Sequence, residues 1–229
     1  MKTIGLIGGM SWESSAHYYR ILNQETAARL GGLHSAPVIM HSVDFAPIAA
    51  MQAAGQWYEA GHVLNEVARG LAAAGAEVLG LATNTMHVVA EAMMAGLDLP
   101  FIHIADPTAG ALLADGFDTI GLLGTRFTME MGFYKERLAG HGLNVLVPEV
   151  DHTNLNGIIY DELCKGIVRE ESRRVYQAAI DRMAARGAQA VILGCTEIGM
   201  LIDDSTSPLP TYDTTDLHAK ALVSAALET

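Results

Sequence analysis

Cys195 stands in the tetrad Gly194-Cys195-Thr196-Glu197, where an apolar run stops. A thiol at such a place can carry a proton as its thiolate, since free cysteine titrates near roughly 8.5 and neighbours can move that value. A helix starting just after Cys195 or a positive neighbour would bring it down. The competing reading is a buried, inert cysteine, which is common for this residue type. A second polar cluster, Thr83-Asn84-Thr85-Met86-His87, also follows an apolar run. The Thr83 hydroxyl is no strong base without an activating neighbour. It can relay or donate a proton, hydrogen-bond a ligand, or simply satisfy its own loop. His87 lies one helical turn beyond Thr83 and is either a backup acid or a capping or core residue.

Around these two clusters lie groups suited to an organic anion. Asn84, Thr85 and Thr196, with nearby backbone N–H groups, could meet a carboxylate and the negative charge that grows on it when a neighbouring carbon loses a proton. Glu197 could hold an ammonium or tune Cys195, and an unshielded carboxylate beside the thiol would raise its pKa. Met10, Ser11, Thr125 and Thr128 occupy turns after two similar strands, where they contact ligand or cap helices. Lys165, in Leu163-Cys164-Lys165-Gly166, is either a clamp for a second carboxylate or a solvated lysine. Arg126 follows a turn and is open to both readings. Cys164 falls on an apparent helical face and reads as packing.

Other chemistries find no support. No phosphate-binding Gly-x-x-x-x-Gly-Lys loop occurs, and Gly5-Leu6-Ile7-Gly8-Gly9-Met10 is no dinucleotide fingerprint. The histidines lack metal-ligand spacing, so neither a metal nor a cofactor is expected. A net charge of −12 leaves no basic stripe for phosphates, which excludes a nucleic-acid partner. No uninterrupted apolar run is long enough to span a bilayer. The N-terminal stretch reads as a first strand rather than a signal peptide. With only two cysteines, a reduced cytoplasmic protein is expected.

The elements that must position these residues alternate along the chain. Half of the 229 residues are hydrophobic, enough for one large α/β unit or two small ones. Strands are expected at 3–8, 37–45, 78–82, 101–104, 119–124, 144–150, 190–194 and 210–212. Helices are expected at 11–30, with Ser11 as N-cap and Gly31-Gly32 as stop, at 59–74 and at 170–186. This alternation means parallel sheets covered by helices.

The chain also repeats itself. TIGLIGG at 3–9 returns as TIGLLGT at 119–125, GAEVLGLATNT at 75–85 as GAQAVILGCTE at 187–197, and LPFIHIAD at 99–106 as LPTYDTTD at 209–216. The matches keep their order and lie about 110–116 residues apart, so two α/β halves related by a pseudo-twofold are expected. Thr83 then pairs with Cys195, Asn84 with Thr196, and Thr85 with Glu197. Ligands of such sheets bind at the carboxyl ends of the strands, where these residues lie.

At the segments Gly8-Gly9-Met10-Ser11, Thr83-Asn84-Thr85-Met86-His87, Gly124-Thr125-Arg126-Phe127-Thr128 and Gly194-Cys195-Thr196-Glu197, the chain resembles the aspartate/glutamate racemase family. That family also includes hydantoin racemases, maleate isomerases and arylmalonate decarboxylases. The resemblance covers essentially the full chain. It implies two pseudo-symmetric domains, 1–98 plus 205–229 and 99–204, with the last strand and helix crossing back to the first. It further implies an active site in the interdomain cleft, no pyridoxal phosphate, no metal, a small amino-acid substrate and a homodimer. Family members carry Cys-Asn-Thr in the first half and Gly-Cys-Thr in the second, one thiol per substrate face. Here the first thiol is replaced by Thr83. The Thr/Cys combination resembles broad-specificity aspartate/glutamate racemases that prefer L-enantiomers. The resemblance implies that Cys195 removes the α-hydrogen and that a proton returns from the Thr83 side. A single-cysteine decarboxylase of the arylmalonate type, or a dicarboxylate-binding protein without catalysis, stands as the alternative.

Overall fold

A computed structural model describes residues 1–228. The chain divides into two units, Met1–Ile104 joined by the chain from His218 onward, and Ala105–Leu217.

In the first unit β1 (Ile4–Gly8) leads into α1 (Trp12–Leu30), followed by β2 (Val38–Ser42), α2 (Phe45–Ala54), α3 (Trp57–Ala73), β3 (Val78–Leu81) and α4 (Ala90–Met94). The sheet is parallel, in the order β2-β1-β3. Every residue of β1 and β3 is buried, which requires cover on both faces. The period of two along each strand divides the core accordingly. Ile7, Leu79 and Leu81 face Leu64, Val67 and Leu71 of α3. Ile4, Leu6 and Val78 face Tyr18 and Leu22 of α1 together with Leu222 and Val223 from the C-terminal helix. That helix approaches so closely that a Cβ on Gly80 would lie 2.6 Å from a Leu222 methyl.

The second unit contains α5 (Ala105–Ala114), β4 (Thr119–Gly124), α6 (Arg126–Glu130), α7 (Gly132–Gly140), β5 (Asn144–Leu146), α8 (His152–Asp161), α9 (Glu170–Ala185), β6 (Ala190–Gly194), β7 (Thr211–Asp213) and the start of α10 (Thr214–Leu227), the rest of which belongs to the first unit. Its parallel sheet runs β5-β4-β6-β7. Tyr176, Ile180 and Met183 of α9 pack with Leu123, Val191 and Leu193.

The duplication reaches the level of register. Ile4 pairs with Val38 and Val78 in the first sheet, while Ile120 pairs with Val145 and Ala190 in the second. Ile4 with Ile120 and Val78 with Ala190 are pairs that the repeated segments place in correspondence.

Three expected strands come out markedly shorter, one of them 37–45, of which only Val38–Ser42 is strand before α2 begins at Phe45. Residues 101–104 make only a bridge between Phe101 and Leu79, because the Ile104 N–H is taken by His87 Nε2 and the chain then turns into α5. Still, the Leu79 N–H donates to Pro100 O at 2.8 Å, as the Val191 N–H does to Pro210 O at 2.9 Å, so the two halves use these segments alike. β5 stops at Leu146, two residues before Pro148, which has no N–H to offer a ladder. The last strand also differs from expectation. β7 pairs with β6 rather than with the first sheet, and the chain passes to the first unit only within α10, at His218. Among the described residues no helix is long and apolar enough to cross a membrane.

Candidate functional site

In the second unit, β6 ends at Gly194 and delivers Cys195 to the rim of the sheet. The thiol is 9 % exposed and the Glu197 residue beside it 5 %. Cys195 Sγ donates to Glu197 Oε2 at 2.9 Å, and Thr196 Oγ1 donates to the same oxygen at 2.5 Å. The chain then makes only a 3-10 turn, Ile198–Met200. No α-helix starts just after Cys195, so no helix N-terminus acts on the thiol. Burial instead pushes the Cys195 thiol well above its ordinary value, and the charge of Glu197 and the neighbouring Cys164 push it further. Its protonated form is therefore favoured, with the S–H donated to Glu197.

Cys164 packs against the same core, as its apolar setting suggests, and burial with the charge of Glu197 pushes its thiol up to about 12. Tyr160, four residues earlier on α8, is also close enough to feel Cys195, Cys164 and Glu197, and burial holds its hydroxyl protonated. Sequence reasoning did not weigh Tyr160, whose one signal was its spacing of four from Cys164, which aligns side chains along a helix. Lys165 lies beside Cys164 in the 3-10 turn Leu163–Lys165, more than half exposed, with Nζ 3.6 Å from Asp161.

The turn after β4 is held by Thr125, whose Oγ1 accepts from the Thr128 N–H at 3.3 Å and lies 3.2 Å from the Thr128 hydroxyl. Both threonines are buried. Arg126 is half exposed and lies 4.0 Å from Glu130. Its backbone N–H donates to Asn156.

In the first unit, β3 ends at Leu81, and Thr83, Asn84 and Thr85 follow, all buried, at the start of a 3-10 turn, Thr85–Val89. Thr83 thus occupies the place that Cys195 occupies after β6. His87 Nδ1 lies 2.7 Å from the Thr83 carbonyl and so donates to it, while Nε2 accepts the Ile104 N–H at 3.2 Å. Both ring nitrogens are engaged in backbone bonds, which overturns the reading of His87 as a backup acid. Burial lowers its pKa well below the ordinary histidine value, and His103 and His218 lower it further. His218 is fixed in the same manner. Its Nε2 donates to Ile102 O at 2.8 Å, which leaves Nδ1 to accept from Tyr18 Oη at 2.8 Å.

The turn after β1 brings Met10 into the core beside Ile7, and Ser11 caps α1 through a 3.3 Å bond from the Ser14 N–H. Ser14 Oγ in turn donates to Ala82 O at 3.1 Å, tying the first helix to the residue before Thr83. Ser15 Oγ accepts the Gly9 N–H at 2.7 Å. Each unit therefore presents a rigid, capped turn after its first strand and a polar triplet after its third.

The Asp/Glu/Hydantoin racemase family model matches residues 7–222 of the chain. Among solved structures, the chain is similar to an Asp/Glu racemase candidate from Yersinia pestis, at 50% identity over 100% of both chains with a TM-score of 0.93. An aspartate racemase homologue from Pyrococcus horikoshii OT3 is 30% identical over 100% of both chains, with a TM-score of 0.86. A broad specificity amino-acid racemase of Bacillus subtilis (strain 168) is 24% identical over 67% of this chain and 66% of its own length. With its duplicated sheets and a strand-end thiol paired to Glu197, the chain belongs to the Asp/Glu/hydantoin racemase family.

Proposed function

We propose that the protein is a cofactor-independent racemase of the acidic amino acids aspartate and glutamate, with L-enantiomers preferred, and that Cys195 moves the α-hydrogen. The observation that carries this reading is the 2.9 Å contact from Cys195 Sγ to Glu197. A thiol is useful as a base only once its proton has somewhere to go, and the Glu197 carboxylate is the acceptor at hand. The proton passes from Sγ to Glu197, and the thiolate takes the α-hydrogen of the L-substrate. The electron pair of that C–H bond moves into the substrate carboxylate, which becomes enediolate-like. Asn84, Thr85 and Thr196 are the donors assigned to the charge that develops there. A proton returning to the α-carbon from the Thr83 side gives the D-enantiomer. Lys165 is the cation assigned to the side-chain carboxylate, and Met10, Ser11, Thr125 and Thr128 shape the turns around the substrate.

Thr83 makes the reaction lopsided. Removing the α-hydrogen of a D-substrate would require a base at that position, and a hydroxyl without an activating neighbour is a poor one. His87 supplies no such activation, since its ring is bonded to the Thr83 carbonyl and to Ile104. This asymmetry supports the preference for L-enantiomers. The broad specificity in the name of the Bacillus subtilis relative is in keeping with a substrate range wider than one acid.

The test is solvent-deuterium incorporation at the α-carbon of L- and D-aspartate and L- and D-glutamate, with product chirality followed in parallel. Exchange is expected from the L-enantiomers in the wild type. Cys195→Ala should lower it by about 100- to 10,000-fold, the range that a positioned acid or base contributes. Undiminished exchange in that variant would remove Cys195 from the mechanism.

A further inference from the structure

Two successive carbonyls after β3 each accept a buried side-chain donor. Ala82 O takes the Ser14 hydroxyl from α1 at 3.1 Å, and Thr83 O takes His87 Nδ1 at 2.7 Å. The backbone N–H groups are engaged as well. The Ala82 N–H donates to Ile7 O at 2.8 Å, and the Thr83 N–H turns back to Leu81 O at 2.9 Å. Thr83 therefore lies between two peptide planes that are both held. The plane before it is tied at Ala82 O and at the Thr83 N–H, the plane after it at Thr83 O. Because each peptide unit is planar, holding both planes fixes φ and ψ of Thr83, and with them the direction of its Cα–Cβ bond. Ser14, Ala82, Thr83 and His87 are all buried, so water is a poor substitute for a lost donor. The second unit holds its corresponding residue differently. Cys195 O accepts a backbone N–H, that of Ile198, at 3.1 Å. At the offset of 116 residues that relates TIGLIGG to TIGLLGT, Glu130 stands where Ser14 does, and a carboxylate has no hydrogen to give a carbonyl.

We propose that Ser14 is a positioning residue for Thr83: by holding Ala82 O, its hydroxyl sets the direction in which the Thr83 side chain is presented to a substrate. The inference rests on the reading of Thr83 as the residue on whose side the proton returns. Cys195 takes no part in the Ser14 contact, so loss of this hydroxyl should spare the step on the Cys195 side. The thiolate still takes the α-hydrogen and becomes a thiol, and the thiol exchanges its hydrogen with solvent. In deuterium oxide a deuteron then goes back from Cys195 to the same face of the α-carbon. The product is L-aspartate labelled at the α-carbon, formed in place of D-aspartate. Exchange and inversion should thus come apart.

The experiment starts from L-aspartate in deuterium oxide and measures total α-deuterium incorporation by mass spectrometry and D-aspartate by chiral chromatography. The wild type is compared with Ser14→Ala, with Ser14→Thr, which restores a hydroxyl, and with Thr26→Val. Thr26 is buried on the same helix and bonds Leu22 O at 2.7 Å, about three turns beyond Ser14, so its variant reports general loosening of α1. In Ser14→Ala the ratio of inversion to incorporation should fall about 10- to 100-fold, the upper value being what a misplacement of about 1 Å can cost. Incorporation itself should stay close to the wild-type rate. Ser14→Thr should recover most of the ratio, and Thr26→Val should keep it. Amide hydrogen exchange is read on the same proteins by mass spectrometry. The peptide covering residues 82–87 should label faster in Ser14→Ala, and the peptide covering residues 195–200 should not. An unchanged ratio in Ser14→Ala overturns the proposal. So do equal ratios in folded Ser14→Ala and Ser14→Thr, an equal fall of inversion and incorporation, or an equal fall of the ratio in Thr26→Val, which would mean that α1 acts by packing alone. Should Ser14→Ala not fold, by thermal melting, Ser14→Cys, a much weaker donor, takes its place. A wild type that incorporates no deuterium at all would remove the racemase reading instead. The peptide covering residues 82–87 then decides whether Ser14 holds Thr83: faster labelling in Ser14→Ala keeps that placement, and unchanged labelling overturns it.

Discussion

His87 donates its Nδ1 hydrogen to the carbonyl of Thr83 at 2.7 Å, one turn away, and accepts the Ile104 N–H on its other nitrogen. One neutral imidazole thus fixes the polar loop after β3 and the chain as it leaves that half of the fold. Its place near a candidate proton-transfer residue suggests chemistry, but its bonds assign it to holding the backbone. In the proposed mechanism the chemistry comes from the residue types at the strand ends, Thr83 in one half and Cys195 in the other.

Thr83→Cys should restore the missing thiol. The expected outcome is a rise of at least about tenfold in deuterium exchange from D-aspartate, because a thiolate is a far better base than an unactivated hydroxyl. Exchange from L-aspartate should change much less. Measuring the L to D ratio of initial exchange rates checks this, and an unchanged ratio would count against Thr83 as the partner of Cys195.

Glu197→Gln separates two effects of the carboxylate. Its negative charge is the second cause, after burial, that raises Cys195, so the amide should bring the thiol down and move its alkylation profile to lower pH. The same change removes the proton acceptor, so α-hydrogen exchange should fall by about tenfold or more. Alkylation rising while exchange falls is the expected signature. A parallel loss of both would point to misfolding, which circular dichroism would reveal.

The pH dependence of stability should carry the mark of His87. Its pKa is depressed in the folded protein, so the unfolded chain binds the extra proton first as the pH falls. The stability it contributes is complete above the unfolded value of about 6.5 and is lost below it, by up to about 1.4 kcal/mol per pH unit. His87→Leu leaves the Thr83 carbonyl and the Ile104 N–H without their partner and should cost about 2–4 kcal/mol at pH 8. The gap between variant and wild type should narrow between pH 6.5 and 5. Urea unfolding at several pH values measures both.

Gly9→Ala tests the turn after β1. Gly9 has φ +94°, and a Cβ there would sit 2.2 Å from the Val43 carbonyl oxygen and 2.6 Å from its nitrogen. Both obstacles are backbone, so the turn itself must shift. A loss of at least about 2 kcal/mol in urea unfolding is expected, from left-handed strain together with the clash. The Ser15 bond to the Gly9 N–H would be displaced with it.

Much of this was legible in order along the chain. The apolar runs gave β1, β4 and β6 nearly to the residue, and Ser11 and Gly31 bounded α1 as expected, because caps and periodicity are local signals. The segment 101–104 was harder to read. Its composition suits a strand, yet whether a strand forms depends on who takes its N–H groups, and His87, seventeen residues earlier, takes that of Ile104.

The sequence by itself determined the duplication, the parallel sheets and the equivalence of Thr83 with Cys195, since repeats and alternating patterns are written in residue order. Only the tertiary structure decided the protonation chemistry. Whether Cys195 is a thiol or a thiolate, and whether His87 is an acid or a backbone clamp, depends on burial and on which donors and acceptors lie within about 3 Å. Glu197 and Thr83 are near neighbours of Cys195 and His87 in the chain, but the burial of both groups and the bond from Ile104 to His87 exist only once the sheets and helices have packed.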